Sequence, residues 1–333
     1  MDALLETDLL KLRSRSRSLC ENDGYGVAFL REIESNVLGE HGFKLKMRCL
    51  QKGKKTIDKR ASADIESAWA EFGKAENFTT TKRQTRRAFH GMYISSIARD
   101  GGALCQKVQG WKENKFRFAV RGIEIDHLDP NYNNKAKSIS MSVQRNEWGQ
   151  DVAFHLLRSH PGENYSMFGS SAINGDREPF AAKNMLHSYV ETRFGQSQGK
   201  PWLTPVIPRL RQLHGYEEAE VIAARIQASK QGFFEETDEG GYAGEGRDSI
   251  GNIRMDGSPG TWERLPSGVK AHLIDPTHPN GNYPAFRKGI LRGVAAGIFV
   301  NYNVWAQDLD GVNYSSIRSG QISERDMWKI VQR

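Results

Sequence analysis

The chain has 333 residues, 38% of them hydrophobic and 26% charged, with a formal net charge of +7. That length buries a substantial core and accommodates two or three domains, or one subunit of several modules; a mean hydropathy of -0.62 points to some apolar surface being covered by partners. Three widely spaced cysteines, Cys20, Cys49 and Cys105, indicate neither a disulfide scaffold nor a zinc knuckle, and the lack of a charged start with an apolar stretch, or of a run of about 18 apolar residues, disfavours secretion and membrane spanning.

In chain order, residues 3–20 read as a helix with an irregular stripe of Leu4, Leu5, Leu9, Leu12 and Leu19, punctuated by Glu21-Asn22-Asp23-Gly24. From Tyr25 to Leu38, Val27, Phe29, Leu30, Ile33, Val37 and Leu38 recur at helical spacing, and Gly39 closes the segment in the manner of a C-cap. Phe43, Leu45 and Met47 then alternate with Lys44, Lys46 and Arg48, the period of a half-buried strand. Asp58 or Ser62 opens a helix through Ile65, Ala68, Trp69 and Phe72 to Gly73, and an amphipathic segment follows from about Lys82 to Arg99. Between Ala103 and His160 the pattern turns to strands: Ala103–Gln109, Phe116–Leu128, Ser138–Gln144 and Val152–Leu157. Turn-formers such as Asp129-Pro130-Asn131 and Asn146-Glu147-Trp148-Gly149 join them, and an antiparallel or mixed sheet is the simplest product. Residues 158–205 read mainly as connection, with one strand at Met185–Val190 and a turn at Gly199-Lys200-Pro201-Trp202.

The clearest helix runs from Pro208 to Lys230, carrying Leu210, Leu213, Tyr216, Ala219, Ala223 and Ile226 at spacings of three and four. The polar interval Glu235–Gly260 reads as a loop or small exposed module, without a strand–GxGxxG–helix unit or a GxxxxGKS/T string. Trp262–Leu265 and Lys270–Ile274 are brief strand candidates. Tyr283 opens a second strong helix, with Pro284 in its first turn and Phe286, Ile290, Val294 and Ile298 on one stripe. Gly289, Gly293 and Gly297 recur beside that stripe at roughly 1 kcal/mol each against alanine. Such a track calls for a close approach by a helix of the same chain or of a neighbouring subunit, or else marks a hinge. Arg287, Lys288 and Arg292 interrupt the apolar run and exclude a membrane-spanning reading.

Cations gather at Arg13, Arg15 and Arg17, from Lys44 to Arg60, and at Lys82, Arg83, Arg86 and Arg87. They permit contact with nucleic acid or an acidic partner, but a plain solvated surface is the favoured reading, because phosphate-binding and solubilising cations look alike in sequence. No enzymatic constellation emerges. Asp126-His127 with Asp129 lacks a second histidine at ligand spacing and reads as a polar strand end; Cys105 with His127 is a pairing any sequence offers. His155 and His160 lack an HExxH frame, and Gly169-Ser170-Ser171-Ala172 is not a nucleophile elbow. The acidic run Glu235, Glu236, Asp238 and Glu239 reads as a solvated loop.

Several strings, in order, resemble the lambda family of tailed-phage portal proteins. Leu12-Arg13-Ser14-Arg15-Ser16-Arg17-Ser18-Leu19, then Glu21-Asn22-Asp23-Gly24-Tyr25, is similar to that family's RARSRDLxRNNxYA opening, and Ser35-Asn36-Val37-Leu38-Gly39 to its NVVGxG. Pro201-Trp202-Leu203-Thr204-Pro205-Val206 runs into Leu210-Arg211-Gln212-Leu213 and Gly215-Tyr216-Glu217-Glu218. Pro259-Gly260-Thr261-Trp262-Glu263-Arg264-Leu265-Pro266-Ser267-Gly268, Asp275-Pro276 and Asn282-Tyr283-Pro284-Ala285-Phe286 follow, and Val312-Asn313-Tyr314-Ser315-Ser316-Ile317-Arg318 closes the set.

The resemblance implies an elongated, multi-module α+β portal fold: a mixed wing at 1–205, a first stem helix at 206–231, a clip at 232–282 and a second stem helix at 283–300. A channel or tunnel loop at 301–312 and a return helix into the wing at 313–333 complete it, the crown being absent or not included. It implies a non-enzymatic ring of roughly twelve copies at the portal vertex of the virion, assembled in the host cytoplasm without a membrane. Its partners would be non-specific double-stranded DNA, the major capsid protein, terminase and head–tail adaptors, with no cofactor. Lys230, Arg287, Lys288 and Arg292 are then candidates for the channel, and Gly293→Leu is expected to impair ring assembly more than folding. Two other classes stand beside this reading: another viral structural protein, such as a head-completion or capsid subunit, and a nucleic-acid-processing enzyme. The latter needs clustered carboxylates that the chain does not offer persuasively.

Overall fold

A computed structural model describes residues 2–163, 176–228, 232–236, 246–247, 253–254, 269–273 and 281–332. The fold is α+β and divides into two units, Met1–Ile207 with Ala295–Arg333, and Pro208–Val294.

The first unit opens on α1 (Asp2–Asn22) and α2 (Gly24–Val37). Between them Asp23 is the N-cap: its Oδ1 accepts the N–H groups of Tyr25 at 2.8 Å and Gly26 at 3.1 Å. Gly26 is required at this corner, because a Cβ there would meet the Leu19 carbonyl oxygen at 2.3 Å. α3 (Lys59–Phe72) starts at the expected Asp58 cap, a short α4 (Ala75–Phe78) follows, and α5 (Arg86–Asp100) is capped by Thr85 and ended by Gly101 at φ 85°. α1, α2 and α5 pack on one another, and α2 also meets α8 (Tyr302–Trp305) and α9 (Tyr314–Val331).

Two antiparallel sheets complete this unit. β1 (Ala103–Gln109), β2 (Phe118–Ile123) and β7 (Met185–Ser188) pair in the order β2-β1-β7. β3 (Ile139–Ser140), β4 (Val143–Arg145), β5 (Asp151–Leu157) and β6 (Arg177–Ala181) pair in sequence order. Successive residues of β1 point to opposite faces. Leu104 therefore joins Met185, Val143, Phe154 and Leu156 in a core drawn from both sheets, while Cys105 joins Phe72, Phe78 and Phe89 of α3, α4 and α5. Those three rings meet edge-on, Phe72–Phe78 at 5.2 Å and Phe78–Phe89 at 5.5 Å.

The second unit holds most of α6 (Ile207–Ala228) and of α7 (Tyr283–Gly297). Between them in sequence, β8 (Gly232–Glu236) pairs with β11 (Val269–Leu273), and β9 (Gly246–Arg247) with β10 (Ile253–Arg254), both antiparallel.

Several sequence expectations change. The alternating segment Phe43–Met47 pairs with no strand among the described residues; the Met47 N–H goes instead to Glu66 Oε1 of α3 at 2.8 Å, as that of Cys49 just beyond it goes to Ser62 Oγ at 3.2 Å. Ser138–Gln144 splits into β3 and β4, since Met141 and Ser142 take φ of 48° and 68°. Phe116–Leu128 is strand only between Phe118 and Ile123, then a 3-10 turn at Ile125–His127. β6 lies in a segment read as connection; it carries Pro179, whose missing N–H an edge strand tolerates. The interval from Glu235, read as a loop or a small exposed module, contains β9 and β10 and the end of β8, which leaves the second of those readings. Trp262–Leu265 and Gly169–Ala172 lie outside the described residues. All three cysteines are free thiols, and among the described residues no helix is long and apolar enough to cross a membrane.

Candidate functional site

Arg13 and Arg17 lie one turn apart on α1 and share a face. Arg13 is 1% exposed; its Nε donates to the Asp100 carbonyl and its Nη2 to Gln198 Oε1, both at 2.9 Å. Arg17 Nε donates to Asp100 Oδ1 at 2.7 Å, and its two terminal nitrogens hold the two oxygens of Asp126. Arg99 of α5 adds a contact to Asp100 Oδ2 at 2.8 Å. Burial pushes Arg13 down to about 10, against the opposing charges of Asp126 and Asp100, and it stays cationic at neutral pH. Burial also works against the charge on Arg17, but hydrogen bonds and charges from Asp126 and Asp100 outweigh it and raise that pKa. These two cations tie α1 to α5 and to the turn after β2, which corrects the reading of the cluster as solvated or partner-facing. Arg15, between them, is exposed.

Glu124, Asp126 and His160 bring ligand atoms within 4.8 Å of one another. Arg17 already holds Asp126 and lies 3.8 Å from Glu124, so a divalent ion would sit beside a guanidinium. The arrangement favours an ion-pair network over a metal centre. His127 Nδ1 pairs with the Leu157 carbonyl at 2.7 Å, and Asp129 with Arg177. Burial pushes the Cys20 thiol up to about 12 and the Cys105 thiol up to about 11, which keeps both protonated at neutral pH.

In the second unit, Tyr216 of α6 meets α7: its ring lies 6.0 Å from Tyr283 and 5.1 Å from Phe286. Glu217 Oε1 accepts from Arg287 Nε at 3.1 Å and from the Tyr283 hydroxyl at 3.3 Å. Leu210, Leu213, Leu291 and Val294 are buried, whereas Phe286, expected on the apolar stripe, is 50% exposed. Val221 and Ile222 of α6 are exposed as well. The glycine track is not uniform. A Cβ on Gly293 would meet the Arg209 guanidinium at 2.4 Å and one on Gly297 would meet Val206 Cγ1 at 2.6 Å, but Gly289 has no described atom within 4 Å. Lys288 is half-buried and Arg292 exposed, four residues apart on one face. Lys230 lies outside the described residues.

Residues 1–332 match the profile described as phage portal protein, lambda family. The chain belongs to that family. The "Probable portal protein" of Halomonas phage phiHAP-1 is 31% identical over 339 residues, covering 100% of this chain and 64% of the relative, so the chain spans under two thirds of the relative's length. Among solved structures, the neck of a native GTA particle computed with C12 symmetry gives a TM-score of 0.52 at 11% identity, covering 94% of this chain and 74% of that one. The virion of a native gene transfer agent particle gives 0.55 at 12%, with the same coverage. Both likenesses concern the fold.

In this lambda-family portal chain, several motif residues are joints. The Tyr25 carbonyl accepts from Trp305 Nε1 at 2.9 Å, with the two rings 5.3 Å apart. Asn36 donates to Glu32, and its own carbonyl accepts from Gln332 Nε2 at 3.1 Å. Gly39 takes φ 65° and its carbonyl accepts from Arg87. Trp202 N donates to the Ala98 carbonyl at 2.9 Å. Trp202 and Pro205 border an apolar groove of about 1090 Å³, shared with Tyr93, Ile97, Phe299 and Trp328. Asn22 ends α1 exposed; Asn313, Ser315 and Arg318 are exposed at the start of α9, whose first residue is Tyr314.

Proposed function

We propose that this chain is a non-enzymatic portal-vertex subunit, assembling into a closed ring of about twelve copies through which double-stranded DNA enters the procapsid and later leaves the virion. In this reading 1–205 is the wing, 206–231 and 283–300 are the stem helices, and 232–282 is the clip that docks terminase and then head–tail adaptors. Residues 301–312 form the channel loop and 313–333 the return helix, with the major capsid protein as a further partner. Assembly takes place in the host cytoplasm and a separate ATPase supplies the energy. DNA is met through its phosphates, without sequence preference, by cations such as Lys230, Arg287, Lys288 and Arg292.

The family match over residues 1–332 carries this reading. The pairing of α6 with α7, with small strands inserted between them in sequence, supports it. Particle averaging with mass determination of the purified, assembled protein tests it. A closed ring of about twelve copies with a channel wide enough for duplex DNA is expected; a monomer at every salt and protein concentration counts against it.

A further inference from the structure

The first unit carries a charged ribbon outside the stem and clip segments. Between Glu40 and Asp58 the chain has six cations, Lys44, Lys46, Arg48, Lys52, Lys54 and Lys55, and no acidic residue. Lys44, Lys46 and Arg48 are exposed, while Leu45, Met47 and Cys49 between them are half-buried. This period-two exposure puts the three cations on one side, with neighbours at most roughly 7 Å apart over two residues of chain. The hydrogen bonds from Met47 and Cys49 to Glu66 and Ser62 of α3 fix the other side.

The chain then reverses in an ordered turn. Gln51 N donates to the Thr56 carbonyl at 3.0 Å, Lys54 N to the Gln51 carbonyl at 3.0 Å and Asp58 N to the Cys49 carbonyl at 2.7 Å, with Gly53 at φ 73°. Lys52, Lys54 and Lys55 are exposed around that turn. Among the described residues none of the six cations has a carboxylate partner, whereas Lys74, Lys82, Arg87 and Arg145 each do. Two neighbouring acids are turned to other work, since Glu66 accepts Met47 N and Asp58 caps α3, and Glu40 makes no ion pair with any of the six among the described residues. Six like charges in so short a segment repel one another and are held in place by the turn.

We propose that this ribbon, separate from the α7 cations, is a backbone contact for duplex DNA. A partner must offer negative charges at short, regular intervals; consecutive phosphates of one DNA strand, about 3.4 Å apart along the axis and about a tenth of a turn apart around it, lie roughly 7 Å apart through space, so a two-residue step of the ribbon is long enough to match one phosphate step. Five of the six cations are lysines, compact point charges suited to phosphates met without fixed geometry. No aromatic residue lies between Lys44 and Lys55, and Phe43 just before them packs toward His90, its ring 5.9 Å away, so the ribbon itself carries no row of rings of the kind on which single strands stack. The choice of DNA as the polyanion rests on the portal reading; the geometry of the charges does not.

The test uses the full chain and a fluorescent, random-sequence duplex, with anisotropy followed across a salt series. Replacing the six by glutamine (K44Q, K46Q, R48Q, K52Q, K54Q and K55Q) is expected to weaken binding and to flatten the slope of log affinity against log salt. The slope falls by about 0.9 for each phosphate no longer neutralised, up to about five in all. A control with K112Q, K135Q, K137Q and K183Q, also exposed lysines, is expected to keep the ribbon's share of the slope. An unchanged slope in the ribbon variant, or an equal drop in the control, overturns the proposal. Polyglutamate displacing DNA from the ribbon at equal charge concentration overturns it in favour of an acidic protein. Mass determination on the same samples separates the two readings. Rings whose DNA binding ignores the ribbon defeat this inference alone, while a chain that stays monomeric yet needs the ribbon for DNA defeats the ring alone.

Discussion

Arg17 of α1 and Asp126 in the turn after β2 form a two-pronged ion pair, each carboxylate oxygen held by a different guanidinium nitrogen. Asp100 of α5 takes the third nitrogen, so one side chain joins three elements. Removing one partner of a buried pair leaves the other charge uncompensated, and Arg17→Ala is expected to cost about 3 kcal/mol. Arg17→Lys is expected to recover only part of this, because an ammonium cannot reproduce the fork. Urea unfolding measures both; a loss under about 1 kcal/mol for the alanine variant would mean that Arg13 and Arg99 suffice.

The same pair sets a pH limb. Burial raises the Asp126 carboxyl, but the hydrogen bond and charge of Arg17, with the charge of Arg13, outweigh it, and the net shift is downward. The folded pKa thus lies below the unfolded one, so this contribution is complete above the unfolded value of about 3.9 and is lost as pH falls through the folded value. Asp126→Asn is expected to flatten the decline of the urea midpoint below about pH 4, and a decline as steep as the wild type's would assign it to other carboxylates.

A second limb comes from His187, whose ring lies 5.4 Å from Phe154 and 4.7 Å from Tyr189. Burial pushes its imidazole down to about 3, with the charges of Arg13 and Arg145 adding to the shift, and neither ring nitrogen has a hydrogen-bond partner among the described residues. The unfolded chain takes up this proton near 6.5, so the neutral ring's contribution is complete above that pH and lost on descent toward the folded value. His187→Phe is expected to flatten the stability profile between about pH 6.5 and 4 without loss at neutral pH. A profile that keeps its slope would show that His187 does not titrate with unfolding.

The helices were legible because their signals are local. Gly39 marks a boundary by itself, Asp58 and Ser62 narrow another to two caps, and the spacings in α6 and α7 need no knowledge of the rest of the chain. The strands depended on partners. Phe43–Met47 has a strand's alternation yet bonds to α3 side chains, and β6 exists because β5 offers it an edge. The arginines failed in the same way: Arg13 and Arg17 look like surface charge until Asp100, Asp126 and Gln198, 83 to 185 residues away, are folded against them. The order of family strings worked at a different level, since it needs no structure at all.

Trp305 clasps two ends of the first unit. It is 2% exposed, and its Nε1 donates to the Tyr25 carbonyl at 2.9 Å. Trp305→Ala removes a large buried side chain and leaves that carbonyl without this donor, for an expected loss of about 3–5 kcal/mol. Trp305→Phe keeps most of the packing and isolates the hydrogen bond, at about 1 kcal/mol beyond its smaller volume. Equal losses in the two variants would place the clasp in the indole N–H instead of in packing.

The three glycines of α7 are expected to separate by what surrounds them. Gly297→Ala presses a Cβ on Val206, a buried and branched neighbour, and overpacking there costs about 1–3 kcal/mol. Gly293→Ala meets only the end of the Arg209 side chain, which swings aside, so a gain in helix propensity of up to about 1 kcal/mol offsets the displacement. Gly289 has open space around it among the described residues, and Gly289→Ala is expected to stabilise the isolated chain by up to the same amount, about 1 kcal/mol. This makes Gly289→Leu the cleaner probe of assembly than Gly293→Leu, whose bulk must also displace Arg209 inside its own subunit. If neighbouring stem helices cross closely at this track, Gly289→Leu keeps the urea midpoint and lowers ring yield on size analysis, whereas wild-type ring yield moves the close contact away from Gly289.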